Sequence, residues 1–595
     1  MSDYSSTYPT QSPTFAFDAK AGKLDSRLSY SRSSGGTYLS NESHLNSENL
    51  VPYSNLSSGF TFGRTTLAST NNSAPDGGSD AASILETAVS GSHEVYDTFA
   101  SVSGQQYSFV FYLKANGRTK VIFKPQATSV IAEVTFDLTA VTSTVTSGSA
   151  DSHSITAIGS TGWYKCAATV TATATGTGYT QFNLVDGTGA STYTGDVTKG
   201  VFAWGASVAS TGQTVVNETS GSIHREYAPL LKTASANEPR LEYDASGNSK
   251  GLLIESQATN LVTHSADFDD SSWAKVRSEI DSNAAIAPDG TLTADYLRAA
   301  SDSANGAYVT KLISVSSNAT VNVSFFHKKT GGDNYALITT YNGVNGTRQW
   351  FNLSTGGLGN STDFGSGFSV LNAGVEEVGN GWVRLNVTVS CTGSSVGVSI
   401  YPSVATDGGY ASSVATTNAL IWGAMLTESS SPSSYIATTS SQFSRASDSC
   451  SVDLGSVGMS GGDFSLIFEM PAGDGAGYYP YLFEIGKAGA GLVERLLVFK
   501  NSITADANTA WTAYTEATNL GVITGSGGAS KVGVSFAASD LAADSDTGTL
   551  MTSTSVSPIV IDQLAIGSDD TFSSNQKLNG HVKRVALYNV ALSDT

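Results

Sequence analysis

The sequence predicts an all-β chain of tandem jelly-roll β-sandwiches, and three observations carry that expectation. Short β-branched and aromatic runs of strand length alternate with turn residues from Tyr107–Leu113 to Lys531–Phe536. The 61 Gly, 25 Tyr and 24 Phe supply the turns and rings that sandwiches need, and no long amphipathic helical stretch interrupts them. A set of landmarks also occurs twice in one order. Asn49-Leu50-Val51 with Ser54, Ala74-Pro75-Asp76-Gly77, Gly162-Trp163-Tyr164-Lys165 and Ala203-Trp204-Gly205-Ala206 return as Asn260-Leu261-Val262 with Ser265, Ala287-Pro288-Asp289-Gly290, Gly381-Trp382-Val383-Arg384 and Ile421-Trp422-Gly423-Ala424. The copies lie 211 residues apart at the Asn, 219 at the first Trp and 218 at the second. Such drift is expected when strands are kept and loops change length.

In chain order, residues 1–46 are polar and turn-rich, with Phe15–Phe17 and Leu28–Tyr30 as the only strand-like material, and read as an N-terminal arm or opening strand. The first jelly roll, 47–220, carries Tyr107–Leu113, Val121–Phe123, Val134–Phe136, Tyr164–Val170 and Gly200–Val208. A connector, 221–259, holds Arg240–Asp244 and Gly251–Glu255, which have no counterpart before Asn49. The second jelly roll, 260–437, places Val321–Phe326 opposite Phe109–Tyr112 in the comparison, and Trp350–Leu353 opposite Thr135–Leu138. The last segment, 438–595, has its own strand-sized apolar runs, Phe464–Phe468, Tyr481–Ile485, Arg495–Phe499 and Lys531–Phe536, and reads as a third sandwich.

A chain of 595 residues with 40% hydrophobic and 14% charged residues is too long for one core. A formal charge of −20 repels phosphate backbones and anionic membranes, so nucleic acid is not an expected partner. Cys166, Cys391 and Cys450 are odd in number and unmatched between the copies, Cys166 facing Leu385, which argues against a disulfide framework. The first residues have neither a basic segment nor an apolar core, and no run approaches the ~18 apolar residues of a membrane span. Synthesis in a cytoplasm without a standard export signal or membrane insertion is the expectation.

Ser31-Arg-Ser-Ser-Gly-Gly-Thr-Tyr38, Pro239-Arg240 through Gly251-Leu-Leu-Ile-Glu255, Thr259-Asn-Leu261, Ser265 with Trp273, Ala287–Gly290 and Gly379-Asn-Gly-Trp382 together resemble bacteriophage virion proteins of fibre or spike type, with carbohydrate-binding-module-like jelly rolls. In that family the first two motifs adjoin, whereas here the first jelly roll lies between them, so residues 20–46 are expected to pack near 238–256. Ile561–Gly567 and Leu578–Asn589 followed by Ala591–Asp594 resemble the closing strands of laminin-G or concanavalin-like lectin domains, which makes 438–595 a lectin-like sandwich. The resemblance implies a surface appendage of the virion, a tail or head fibre or spike assembled in the host cytoplasm, that attaches to host surface polysaccharide. It also implies a homotrimer and an anchor to other virion proteins through the N-terminal region. The alternatives are a decoration protein that binds no sugar and, further off, a polysaccharide depolymerase.

Trp163, Trp204, Trp273, Trp382 and Trp422 recur between the copies or keep aromatic character there, and read as sandwich core. Trp350 and Trp511 are unmatched, and a sugar ring would stack on either if exposed. Tyr478, Tyr479 and Tyr481 beside Gly473–Gly477 could line a saccharide groove or close the sandwich end. Asp76 and Asp289 follow Pro and read as turn residues; a structural Ca²⁺ is the alternative, and no other cofactor is expected. No catalytic pattern survives inspection. The Glu-x-Asp-x-x-Glu strand of lectin-like glycosidases is absent from 455–595, and Glu279-Ile-Asp281 begins it only to meet Ala284. The seven His show no metal-ligand spacing, and the Gly-x-Ser-x-Gly runs at 393–397 and 458–462 lead into no helix. A binding protein rather than an enzyme is expected.

Overall fold

Where polar and apolar residues alternate, as in Ala132–Asp137 and Lys531–Ala537, strands form that bury every second side chain. Where the run is continuously apolar, as in Asn418–Thr427, both strand faces are covered. The computed structural model describes residues 12–592 except 23, 128, 411–412, 414–415, 460–461, 472–479, 489–494, 502–509, 516–517, 525–529, 538–539, 546–549, 555–558 and 570–576. Among the described residues every regular element is a β-strand apart from two 3₁₀ turns, Ala19–Ala21 and Gly455–Val457. The chain is an all-β assembly of three sandwiches, each with its own apolar core.

The two jelly rolls share one sheet order. In the first, a six-stranded sheet runs Ser152–Ala157, Trp163–Thr171, Gln106–Asn116, Gly200–Ala209, Ala81–Glu86, Thr65–Asn72. In the second it runs Ser369–Gly379, Trp382–Ser390, Thr320–Lys329, Asn418–Thr427, Ala294–Ala299, Ser278–Ala285. The repeated Asn explains why the copies hold together. Asn49 donates to the carbonyls of Ala206 (3.1 Å) and Asn217 (2.9 Å) and accepts from the amides of Val51 (3.0 Å) and Val208 (3.2 Å). Asn260 makes the same four bonds with Ala424, Ile436, Val262 and Leu426. Only a side-chain amide supplies donors and an acceptor in that arrangement.

The third sandwich draws on three parts of the chain. Its six-stranded sheet begins with Phe15–Asp18, which pairs with Arg584–Tyr588 at the far end of the sequence. Its seven-stranded sheet begins with Leu28–Ser31 paired to Ser449–Asp453. From the connector, Ser249–Ile254 pairs with Gly580–Val582. Phe15–Asp18 and Leu28–Ser31 of the opening segment are therefore woven into the third sandwich.

A long ribbon, Gly36–Asn49 paired antiparallel with His224–Ala234, leads to and from the first jelly roll. At its base the segments expected to meet do so: Arg32 Nη2 donates to the Glu238 carbonyl at 3.3 Å and Arg240 Nη1 to the Thr37 carbonyl at 3.2 Å. Arg240 bridges Glu255 at 2.6 Å and Asp448 at 2.5 Å, Arg32 reaches Asp448 at 3.2 Å, and Arg445 lies 3.5 Å from Glu255. Burial pushes the Glu255 carboxyl up, but Arg445, Arg240 and the Ser434 hydrogen bonds outweigh it and hold the group far below the usual carboxylate range. Such buried charges persist only when mutually paired, so this knot fixes the junction of the opening segment, the connector and the segment after the second jelly roll.

Candidate functional site

Each jelly roll carries the same ring pair on the outer face of the shared sheet. In the first, Tyr112 meets Trp204 edge-on at 5.4 Å, and in the second Phe326 meets Trp422 at 5.2 Å. The glycine after each Trp has φ +65°, and a Cβ there would come within 2.9 Å of the Tyr112 ring or 2.8 Å of the Phe326 ring. That close approach is why Trp-Gly-Ala is repeated. The indole N–H is satisfied in both, by Asp80 Oδ1 in the first copy and Thr293 Oγ1 in the second, each at 3.0 Å.

The covers of the two faces differ. In the second jelly roll Tyr435 lies against the pair, 4.7 Å from Trp422 and 5.8 Å from Phe326, with its hydroxyl 2.8 Å from Ser265 Oγ. Leu39 and Leu231 of the ribbon join the same buried cluster. In the first jelly roll Val216 occupies the place of Tyr435, three residues before the matched Thr219 and Thr438, and no ribbon residue joins the cluster around Trp204.

The room left over Tyr112, Trp204 and Val216 is a cleft of about 330 Å³ between the two jelly rolls. The first contributes Pro75, Asp76, Tyr112, Lys165, Trp204, Val216 and Glu218; the second contributes Asp281, Tyr296, Arg298, Thr330, Gly331 and Asn418. Lys165 Nζ crosses it to Asp281 Oδ2 at 3.3 Å and also donates to Thr214 Oγ1 at 3.1 Å. Arg298, 4% exposed, pairs through Nη2 with Glu279 at 2.5 Å, while its buried Nε and Nη1 have no acceptor. Burial raises Asp281, but Lys165 and Arg298 more than reverse this and hold it below its ordinary value. Burial also pushes the Tyr112 and Tyr296 hydroxyls up, so both stay neutral donors. Beyond the Lys165–Asp281 bridge lies a second hollow of about 470 Å³, with Gln106, Ser154, Thr156 and Asn283 among its walls.

No protein-family model matches this chain, and no curated protein matches it. Among solved structures, the NanB sialidase of Streptococcus pneumoniae aligns at 15% identity with a TM-score of 0.20, covering 24% of this chain and 25% of that one. This chain thus spans about a quarter of the sialidase chain's length. The N-terminal CBM22-1–CBM22-2 tandem domain of Xyn10C from Paenibacillus barcinonensis aligns at 10% identity with a TM-score of 0.20, over 65% of this chain and 98% of that one. A glycoside hydrolase family 32 structure from Bifidobacterium adolescentis aligns at 7% identity with a TM-score of 0.15, over 83% and 99%. At such TM-scores these likenesses bear on neither ligand nor activity.

The sugar-stacking residues suggested by the sequence fall elsewhere. Trp350 is 1% exposed, packs with Leu337, Tyr401 and Val404, and donates its indole N–H to the Gly409 carbonyl at 2.7 Å, so it offers no open plane. Tyr481 is likewise buried at a strand start, 6.0 Å from the Phe499 ring, which corrects its place in a groove. Tyr478 and Tyr479 lie outside the described residues, as does the side chain of Trp511, whose backbone belongs to strand Ala510–Thr515. Trp163, Trp204, Trp273, Trp382 and Trp422 are all buried, Trp204 keeping an edge on the cleft. Asp76 and Asp289 accept from the amides of Gly78 and Thr291 inside their own turns. The one potential metal-ligating cluster among the described residues is His264, Asp267 and Asp270, well away from those turns in sequence. The sequence points to no ligand contact at Tyr112, Lys165, Val216, Tyr296 or Arg298; the sign it carries is the Val216 and Tyr435 mismatch beside the matched Thr219 and Thr438.

Proposed function

We propose that this chain is a virion surface appendage that adheres to host surface polysaccharide without turning it over, and that the cleft between its jelly rolls is a seat of that adhesion. The observation that carries the binding part is the presence of Val216 where the second copy has Tyr435, which leaves one copy of the shared ring pair at the edge of a cleft lined by hydrogen-bonding groups. Sugar rings offer C–H faces to aromatic side chains and hydroxyls to charged donors and acceptors. Many copies on one particle would raise avidity without a tight single site. The virion assignment rests on the resemblance of residues 31–38 and 239–290 to phage fibre and spike proteins. The test is binding of the labelled full chain to host cells and to stripped host polysaccharide. Saturable binding that Val216→Tyr weakens is expected. No saturable binding by the wild-type chain would turn the reading toward decoration, and release of reducing ends would turn it toward depolymerisation.

A further inference from the structure

The cleft and the hollow beyond it meet at one feature, the Lys165–Asp281 bridge, which walls both. Their volumes, about 330 and 470 Å³, each fall in the range of ~300–1,000 Å³ common to small-molecule sites. Lys165 and Asp281 line both hollows, and Ser154 and Thr156 of the edge strand Ser152–Ala157 add polar lining on the farther side. The charge inventory is also one-sided. The charges of Lys165 and Arg298 are each paired, with Asp281 and, through Nη2, with Glu279, which leaves the Arg298 Nε and Nη1 as uncommitted donors, whereas Asp76 and Glu218 at the other wall have no cationic partner among the described residues. Crowding is visible at Glu218, where burial and then the charges of Asp76 and Asp80 lift the carboxyl above its ordinary value. An anionic ligand would meet repulsion there. A neutral polyhydroxylated one would find acceptors in the carboxylates, donors in the Tyr hydroxyl and the guanidinium, and an aromatic wall.

We infer that the two hollows form one groove that takes an extended neutral glycan lying across the Lys165–Asp281 bridge, with the Tyr112 and Trp204 cleft as its principal subsite. The inference rests on the polysaccharide-binding reading above and goes beyond it in naming the ligand class and the second subsite. An anionic glycan is bound weakly or not at all, and affinity grows with chain length until both hollows are filled.

Calorimetric titration of the full chain with neutral gluco-, manno- and galacto-oligosaccharides of three and of six to eight units, and with galacturonic and sialic acid oligomers, tests this. A neutral series should bind, its longer members at least tenfold more tightly than the trisaccharide. Ser154→Tyr, at an exposed position of the edge strand, should reduce the longer members to trisaccharide affinity and leave the trisaccharide unchanged. Val216→Tyr, checked for an unaltered unfolding transition, should weaken both. Binding confined to the acidic oligomers, or a length dependence indifferent to Ser154→Tyr, overturns the inference. Binding of host polysaccharide with none of the neutral series bound overturns it too while sparing the broader reading. Absence of binding to host polysaccharide removes both.

Discussion

The first and second jelly rolls present the same sheet, the same Asn hub and the same ring pair, yet one ring pair is sealed and the other borders a cleft. The framework residues bind the backbone of their own module: Asn49 and Asn260 each make four main-chain bonds, and the Ser54 and Ser265 hydroxyls each exchange bonds with the backbone of Thr219 or Thr438. Those positions were retained because any change leaves buried polar groups unpaired. The cover differs in kind: Tyr435 reaches the frame through the Ser265 hydroxyl at 2.8 Å, whereas Val216 has no hydroxyl with which to make that bond. The difference places recognition in the cover and stability in the frame.

The hub should be worth the same in both copies. Asn49→Ala and Asn260→Ala are each expected to cost about 3–5 kcal/mol, read as loss of hydrogen-exchange protection confined to the altered jelly roll; a marked inequality would break the equivalence. Tyr435→Val should cost about 2–4 kcal/mol and give the second jelly roll a cleft like that of the first, visible in a crystal structure; a collapsed face would show that the ribbon alone makes the seal.

A pH-dependent difference should sharpen the comparison further. Burial pushes the Asp295 carboxyl up to about 7 despite amide donors from Asn283 and Phe268, and pushes His327 down to about 4. The aligned positions in the first jelly roll are Ala82 and Leu113, which do not titrate. Because its folded pKa is raised, Asp295 contributes stability that is complete below its ordinary value of 3.8 and is lost as pH rises through about 7. His327 acts oppositely: its contribution is present above its ordinary value of 6.5 and lost as pH falls through about 4. Asp295→Asn should therefore leave the second jelly roll gaining stability from pH 4 to 7, measured by exchange protection, with the first unaffected. The smallest stability effect belongs to Val216→Tyr, within about 1 kcal/mol, since the ring enters open space; a larger loss would mean that the two faces differ in backbone as well as in cover.

The duplication and the all-β class were legible because strands repeat with period 2 and because Asn, Trp and Gly at the frame are dictated by local bonding. The partner of Phe15–Asp18 was not legible: it pairs with residues more than 560 positions away, and alternation says that a strand exists without saying where it docks. The three arginines of the buried knot were hidden for another reason. Arg32, Arg240 and Arg445 are each 1% exposed or less, against the tendency of charged residues to stay at the surface. Trp350 misled because lack of a counterpart in the other copy says nothing about burial. The cleft depends on a ring that is missing at Val216, and a missing group leaves a trace only when the copies are compared residue by residue.

Hydrogen–deuterium exchange of the full chain with and without saturating host polysaccharide would locate the contact directly. The account predicts protection concentrated at residues 112–116, 204–218, 294–299 and 329–332, where the jelly rolls face each other across the cleft. Protection confined to residues 472–515, with the cleft unchanged, would contradict it.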